Sequence, residues 1–364
     1  MIPVYEPYFS SDEEAIVLDC LRTKWISSLG EYIPEFEQRF AEICGSRHAV
    51  SVCNGTAALY LALYTLGVGP GDEVILPSLT FVATANAVHF TGATPVFVDV
   101  EKDTWNISVS GIEKSITPNT KAIVPVHLYG LPANMDEIRS IADTHKKLIV
   151  EDAAEAHFAS INGQYVGTIG DVGIFSFYGN KIITTGEGGM IVTNNDDIAT
   201  RARFLRDHAM SRQQRYWHTE PGFNYRMTNI QAAIGLAQLR KLNFILARKA
   251  EIADQYRQVL ETIPGISLRH PIPGYADVCW LFSLIIEPKF PMSRDALIAY
   301  LRDHNIDSRP FFVPLHLLPM YNNGIYLPVS VFLGQNGLSL PSSPCLTSQE
   351  IEYIVSVIQK AANN

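Results

Sequence analysis

The chain has 364 residues, 47% of them apolar, and a formal net charge of −9. A chain of this length and apolar content can bury a large core, and its length predicts two domains or one large domain with a smaller one. The charges are spread without acidic or basic blocks, which argues against a nucleic-acid-binding protein, because such binding depends on a basic face.

The cysteines stand apart in the sequence, at Cys20, Cys44, Cys53, Cys279 and Cys345. They form no Cys-x-x-Cys pair and no Cys/His cluster at zinc spacing, so we expect free thiols and no metal. The N-terminus has neither a basic segment nor an apolar core, and no apolar run approaches the ~20 residues of a membrane span. The sequence therefore predicts a cytoplasmic protein without a signal peptide or a membrane segment.

The first half of the chain predicts two helices followed by alternating strands and helices. Acidic residues after Ser10 begin the first helix, and apolar residues at helical spacing from Ile33 to Ile43 form the second. Strands are predicted over 48–53, 73–76, 94–98, 121–126 and 147–150. This alternation implies an α/β fold with a largely parallel sheet covered on both faces, and a ligand site outside the carboxyl ends of its strands.

The pattern changes after Thr228. Apolar spacing predicts a long helix or a kinked pair to about residue 260, followed by a smaller α+β unit with a strand over 280–286. Thr347 and Glu350 fit a capping box for a closing helix. We place the boundary at residue 245, giving a large domain (1–245) and a small domain (246–364), and leave open whether the N-terminal segment packs on the small domain.

One lysine stands in a loop of small residues between two apolar runs. Lys181 lies between the runs 172–177 and 189–193, where poor solvation would lower its pKa and make the neutral amine a nucleophile. Asp152 and Glu155 follow another apolar run. An acid and a lysine from the ends of separate strands suit pyridoxal 5′-phosphate (PLP), because the lysine bonds to its aldehyde and the acid keeps the pyridine nitrogen protonated. A solvated surface lysine is the ordinary alternative.

Several further residues could hold such a cofactor. Gly55, Thr56 and Ala57 open a helix after a strand, where backbone amides and the Thr56 hydroxyl could bind a phosphate. Many strand-to-helix turns look similar, and this one is neither a Walker A loop nor Gly-x-Gly-x-x-Gly. Ser176 could bind the same phosphate, and Phe81 could stack on the ring or simply pack in the core.

These segments together resemble the PLP-dependent nucleotide-sugar aminotransferases of fold type I. The resemblance covers essentially the whole chain and is most specific over 54–57, 151–157, 175–189 and 222–229. Within the family the chain is most similar to members that aminate C4 of GDP-4-keto-6-deoxymannose with L-glutamate, giving GDP-perosamine for O-antigen polysaccharide. Residues 25–28, 127–130, 216–218 and 308–310 with His316 support that narrower similarity.

The resemblance implies a mixed, mostly parallel sheet in the large domain, a smaller α+β C-terminal domain and a homodimer with shared active sites. It implies these roles: Lys181 as the cofactor-linked acid/base, Asp152 on the pyridine nitrogen, Thr56, Ala57 and Ser176 on the phosphate, Phe81 on the ring, Glu155 near its hydroxyl, and Asn224 on the phosphate of the neighbouring subunit's cofactor. Trp25, Ser27, Arg309 and His316 are candidates for the sugar or nucleotide, although each could equally be scaffold.

The chain departs from the family pattern at three positions. Glu155 replaces the glutamine of many relatives, and Ala209 lies where glycine is expected. Phe158 is large where a small residue is common, so we expect it to narrow the pocket.

Three alternatives remain. The first is the same chemistry on another 3- or 4-keto sugar, linked to UDP or dTDP. The second is a PLP-dependent sugar dehydratase, against which Lys181 argues, because those relatives carry histidine there. The third is a non-catalytic PLP-binding regulator, which would need a DNA-binding domain that the chain has no residues left to build.

Overall fold

The computed structural model describes residues 1–363. Its helices are α1 (Ser11–Thr23), α2 (Tyr32–Cys44), α3 (Gly55–Thr65), α4 (Ala83–Phe90), α5 (Val109–Ser115), α6 (Met135–His145), α7 (Asp196–Leu205), α8 (Asn229–Arg240), α9 (Leu242–Leu260), α10 (Arg294–Asp303), α11 (Pro328–Asn336) and α12 (Ser348–Ala362). Its strands are β1 (His48–Val52), β2 (Glu73–Pro77), β3 (Thr94–Val98), β4 (Thr120–Ile123), β5 (Leu148–Asp152), β6 (Ser160–Ile161), β7 (Gln164–Tyr165), β8 (Val172–Ser176), β9 (Gly189–Thr193), β10 (Ile266–Ser267), β11 (Tyr275–Ala276), β12 (Phe282–Ile286), β13 (Arg309–Pro310) and β14 (Gly337–Leu340).

The main sheet has seven strands in the order β1-β9-β8-β5-β4-β2-β3. Strands β2, β3, β4, β5 and β8 pair in parallel, whereas β9 runs antiparallel to both β1 and β8. The predicted α/β fold with a mixed, mostly parallel sheet is therefore confirmed. The carboxyl ends of β2, β5 and β8 meet along one edge, which positions the residues that follow them.

Apolar side chains bury both faces of this sheet. On β8, Ile174 belongs to a core with α3 and α7, whereas Phe175 points to the opposite core with α2 and α8. In that second core the Phe40 ring lies 5.0 Å from the Phe175 ring and 5.4 Å from the Phe177 ring. Because successive strand residues face opposite sides, a strand buried on both faces carries a continuous apolar run.

The later chain builds an antiparallel sheet, ordered β10-β12-β14-β13, with its own core against α9, α10 and α12. Thr347 and Glu350 form the predicted capping box of α12. Ile2 bridges to Ile306, so the N-terminal segment lies against this unit. The boundary at residue 245 falls in the first turn of α9 and stays a prediction.

No helix in residues 1–363 combines the length and the apolar character needed to cross a bilayer.

Candidate active site

A cavity of about 930 Å³ opens at the carboxyl edge of the main sheet. It lies beyond the ends of β2, β5 and β8, where the sequence predicted a ligand site. The predicted residues that line it are Gly55, Thr56, Ala57, Phe81, Asp152, Glu155, Ser176, Lys181 and Arg309. Segments more than 250 residues apart in the sequence therefore meet in one cavity.

Lys181 places its amine inside this cavity, with 11% of its side chain exposed. Its Nζ lies 3.8 Å from Oε1 of Glu155 and 3.7 Å from the centroid of the Trp280 ring. Burial lowers the pKa of the Lys181 amine, and the carboxylates of Glu155 and Asp152 oppose that shift. The Lys181 backbone is also held, since its carbonyl accepts a hydrogen bond of 2.7 Å from the Tyr5 hydroxyl.

Asp152 is the last residue of β5 and is 4% exposed. The Thr84 hydroxyl donates to its Oδ2 at 2.8 Å, and the Ala154 amide donates to Oδ1 at 3.2 Å. Burial raises the pKa of this carboxyl, whereas these two hydrogen bonds and the nearby Lys181 amine lower it. The held carboxylate can accept a charge-assisted hydrogen bond from a protonated nitrogen in the cavity.

Glu155 lies on the same side of the cavity as Lys181. Its Oε2 accepts a hydrogen bond of 2.8 Å from the Tyr129 amide, which leaves Oε1 facing the lysine. Burial raises the pKa of the Glu155 carboxyl, and the Lys181 charge opposes this. A glutamine here would keep the hydrogen bond from Tyr129 but would remove the second carboxylate beside the amine.

A cradle for an anion lies where α3 begins. The first amides of an α-helix have no acceptor within the helix, and the positive end of the helix favours an anion. The cradle is tight, because a Cβ on Gly55 would lie 2.7 Å from Cβ and 2.9 Å from Oγ of Ser176. The structure changes one expectation: the Ala57 amide already donates to Oδ1 of Asn54 at 2.8 Å, so it is not a free donor.

The fit to PLP rests on four observations in this cavity. The helix N-terminus and the Ser176 hydroxyl suit a phosphate, the buried Lys181 amine suits an aldehyde, the held Asp152 carboxylate suits a protonated ring nitrogen, and the Phe81 ring borders the same space. The donor set and the shape of the cavity therefore agree with the cofactor.

Four predicted residues do not line the cavity of this chain. The Trp25 carbonyl accepts a hydrogen bond of 2.9 Å from Nδ2 of Asn229, and the Ser27 carbonyl accepts one of 2.6 Å from the Asn229 backbone amide. His316 is buried with Nδ1 2.6 Å from Oγ of Ser78.

Asn224, the fourth of these residues, accepts a hydrogen bond of 2.9 Å from Arg226. Its neighbours Phe223 and Tyr225 line the cavity whereas Asn224 does not.

Phe158 corrects another expectation. Its ring lies 5.4 Å from the Phe40 ring and 5.8 Å from the Tyr165 ring, and it is 3% exposed. The prediction that Phe158 narrows the cavity is therefore wrong, since the side chain lies in the core instead. Ala209 adopts the left-handed region with φ +50°, a conformation that glycine takes without steric cost.

Trp280 and Thr84 are among the side chains of the site that the sequence did not predict. Trp280 covers the Lys181 amine from a segment almost a hundred residues later, and no local pattern marks it. Thr84, whose hydroxyl donates to Asp152, could have been predicted from the sequence, because it comes three residues after Phe81 at the start of α4.

The fold and this cavity define an aminotransferase. The chain belongs to the DegT/DnrJ/EryC1/StrS aminotransferase family, whose sequence pattern matches residues 7–359. PLP is the cofactor of this family, so the predicted PLP dependence is confirmed. The resemblance drawn from the sequence is confirmed as well.

Particular relatives match almost the whole chain. A GDP-perosamine synthase of Caulobacter vibrioides is 45% identical, covering 99% of this chain and 98% of the relative. A GDP-perosamine synthase of Escherichia coli O157:H7 is 44% identical with the same coverage. A protein of Streptococcus pneumoniae solved in a PLP form superposes with a TM-score of 0.94 at 29% identity, covering 100% of this chain and 98% of that one.

Gly55→Ala is expected to weaken cofactor binding about tenfold to a hundredfold. The added methyl would meet Ser176 at less than 3 Å, and overpacking of this kind costs about 1–3 kcal/mol. Titrating cofactor-free protein with PLP and following the visible absorbance would measure the affinity. Gly69→Ala is the control, because its Cβ would approach only the Thr91 carbonyl, at 3.9 Å. Equal affinities for the two variants would show that the cradle is not where the phosphate binds.

Proposed function

We propose that this enzyme transfers the amino group of L-glutamate to C4 of GDP-4-keto-6-deoxy-D-mannose and so makes GDP-perosamine for O-antigen polysaccharide. The central observation is the buried Lys181 amine in one cavity with the Asp152 carboxylate. Two full-length relatives named GDP-perosamine synthase, at 45% and 44% identity, support the choice of sugar.

PLP supplies an electron sink that stabilises negative charge at the carbon losing its proton. In this proposal Nζ of Lys181 would hold the cofactor aldehyde and would take the proton from Cα of glutamate. The same nitrogen later delivers a proton to C4 of the sugar. Its lowered pKa supports this role, because a general base works best when its pKa is near the working pH.

Asp152 would keep the ring nitrogen protonated. Thr84 and Ala154 hold the two carboxylate oxygens, so the side chain needs little reorganisation to accept the ring N–H. Gly55, Thr56 and Ser176 would hold the phosphate, with the Ala57 amide already bonded to Asn54, and Phe81 would stack on the ring. Glu155 would face the ring hydroxyl, where its charge also attracts the Lys181 amine.

The sugar side of the proposal involves residues from more than one place. Arg309 lines the cavity and can bind an anionic group of glutamate or of the nucleotide. Asn224, Trp25 and Ser27 lie outside the cavity of one chain, so contacts from them would require a homodimer with shared sites, whereas His316 is buried against Ser78. This homodimer and a cytoplasmic location remain proposals, the latter resting on cysteines that are unpaired in residues 1–363.

Purified enzyme supplied with L-glutamate is expected to aminate GDP-4-keto-6-deoxymannose with the highest kcat/KM in a panel of GDP-, UDP- and dTDP-linked keto sugars. We expect a preference of at least about tenfold, because a site that hydrogen-bonds polar groups rejects analogues lacking them. Detecting the amino sugar and 2-oxoglutarate by mass spectrometry measures the reaction. A preference for a UDP- or dTDP-linked sugar would replace the proposed substrate and leave the aminotransferase class intact.

A further inference from the structure

A second buried lysine lies behind the wall of the cavity. Lys249 belongs to α9 and is 2% exposed. Its Nζ donates to the carbonyls of Trp280 at 2.9 Å and Ser342 at 2.6 Å, and lies 5.3 Å from the centroid of the Tyr5 ring. Its polar contacts are therefore main-chain oxygens and an aromatic face rather than a carboxylate. Burying a charge without a counter-charge costs free energy of folding, so the position of Lys249 calls for an explanation.

Two of these partners reach Lys181 directly. The Trp280 ring lies 3.7 Å from Nζ of Lys181, and its indole N–H donates to the Asn180 carbonyl at 2.6 Å. The Tyr5 hydroxyl donates to the Lys181 carbonyl at 2.7 Å. Lys249 is thus one residue removed from Lys181 along two separate routes, one to the amine and one to the backbone.

We propose that Lys249 is a positioning residue for Lys181, because its ammonium group fixes Trp280 and Tyr5, and these two side chains fix the amine and the backbone of the reactive lysine. The inference rests on the proposed role of Lys181. An ammonium has three donors in a compact head, and here they face two carbonyls and the Tyr5 ring. Charge-assisted hydrogen bonds are about twice as strong as neutral ones, so the charge is what holds the three segments together.

The charge of Lys249 is lost near the alkaline end of the physiological range. Burial lowers its pKa to about 8. Of the groups that face it, Cys279 stays neutral because burial raises its pKa to about 11, and burial also raises the pKa of Tyr5 well above its usual value. The Asp277 carboxylate pairs with Arg269 at 3.2 Å.

Two further groups lie near these partners without touching Lys249. Cys345, close to Tyr5, is exposed. The Glu350 carboxylate accepts from Thr347 within its own helix cap. Of the buried groups Lys249, Cys279 and Tyr5, Lys249 is the one whose pKa lies near 8.

The pH dependence of activity and that of stability are expected to run in opposite directions, which distinguishes loss of positioning from unfolding. The folded pKa of Lys249 lies below the value of 10.5 for an exposed lysine, so between these values the unfolded chain binds more protons. The contribution of Lys249 to stability therefore rises with pH, whereas its hold on Trp280 and Tyr5 weakens. We expect activity to decline as pH rises through about 8 without a matching loss of thermal stability.

Lys249→Met tests the proposal, with Lys241→Met as the matched control. Lys241 also lies over an aromatic ring of the N-terminal segment, 5.4 Å from Tyr8, and pairs with Glu13, but it contacts neither Trp280 nor Tyr5. In Lys249→Met we expect kcat to fall about tenfold or more, because a small misplacement of a reacting group has effects of this size. In Lys241→Met we expect kcat to stay near the wild-type value.

A second readout uses cofactor-free protein. Acetic anhydride labelling over the neutral and alkaline range, with mass spectrometry of the Lys181 peptide, reports the reactivity and pKa of that amine. Lys249→Met is expected to change the labelling curve of Lys181, and Lys241→Met to leave it unchanged. Tyr5→Phe, which keeps the ring and removes the hydroxyl bonded to Lys181, should shift kcat in the same direction by less.

Lys249→Arg completes the test, because it keeps the charge at every pH used. It is expected to retain most of the activity and to lose the decline near pH 8. If Lys249→Met and Lys241→Met give the same kcat and the same Lys181 labelling, the positioning role is wrong. If the wild-type protein binds no PLP on Lys181, the proposed function itself fails, which the visible spectrum shows before any variant is compared.

Discussion

Lys181→Ala is expected to abolish transamination and to remove the yellow colour of the purified enzyme. The amine is the one group of the cavity that can both hold an aldehyde covalently and carry protons between substrate carbons. We expect kcat to fall by about 10⁴-fold or more, the upper range for loss of a general acid/base. Visible absorbance and borohydride reduction followed by peptide mass spectrometry measure the covalent link, and the coupled release of 2-oxoglutarate measures turnover.

Lys360→Ala is the matched control for this experiment. Lys360 is an exposed lysine near the end of α12, so its removal should change neither the colour nor turnover. A cofactor reduced onto any lysine other than Lys181 in the wild-type enzyme would contradict the proposed site. A colourless wild-type protein after incubation with PLP would contradict it as well.

The sequence was informative about Lys181 and Asp152 because of how parallel sheets are built. Both residues follow apolar runs, and the carboxyl ends of parallel strands converge on one edge of a sheet. Ser176 ends β8 and Phe81 follows β2, and both line the same cavity. Local patterns therefore locate the residues that strand ends carry, without knowledge of the strand order.

Two residues from the later part of the chain could not be located in this way. Trp280 lies just before β12 and donates to the carbonyl of Asn180, 100 residues earlier, and Lys249 lies on a helix where a lysine is normally solvated. The two-residue strands β6, β7 and β11 are too short to show a period. These features are set by tertiary contacts, which a pattern of neighbouring residues does not record.

The Ala57 amide shows a different limit. The turn after β1 correctly predicted a helix N-terminus, but Asn54 was not assigned as its cap. Asparagine is a preferred N-cap residue, so the signal was present in the sequence. In the structure the Asn54 side chain accepts the hydrogen bond of the Ala57 amide. The expected phosphate donors are therefore Gly55, Thr56 and Ser176.

Asp152→Asn is expected to leave the protein yellow and to lower kcat by about 10³-fold. Asparagine has nearly the same shape and can still accept a hydrogen bond from Thr84, so the cofactor should bind. It is neutral, however, and a neutral amide stabilises a protonated ring nitrogen far less than a carboxylate does, so the electron sink is lost. Stopped-flow measurement of the glutamate half-reaction isolates this step from substrate binding.

Asp171→Asn is the control for charge loss at the same sheet. Asp171 lies at the opposite end of β8, where its carboxylate accepts from the Ile149 amide at 2.8 Å and faces Arg139 at 3.5 Å. Its removal should lower stability and leave the half-reaction rate of the folded enzyme unchanged. Because Asp152→Asn and Lys181→Ala differ in colour, the pair separates electron withdrawal from covalent attachment. A half-reaction in Asp152→Asn as fast as in Asp171→Asn would assign the ring nitrogen to another partner.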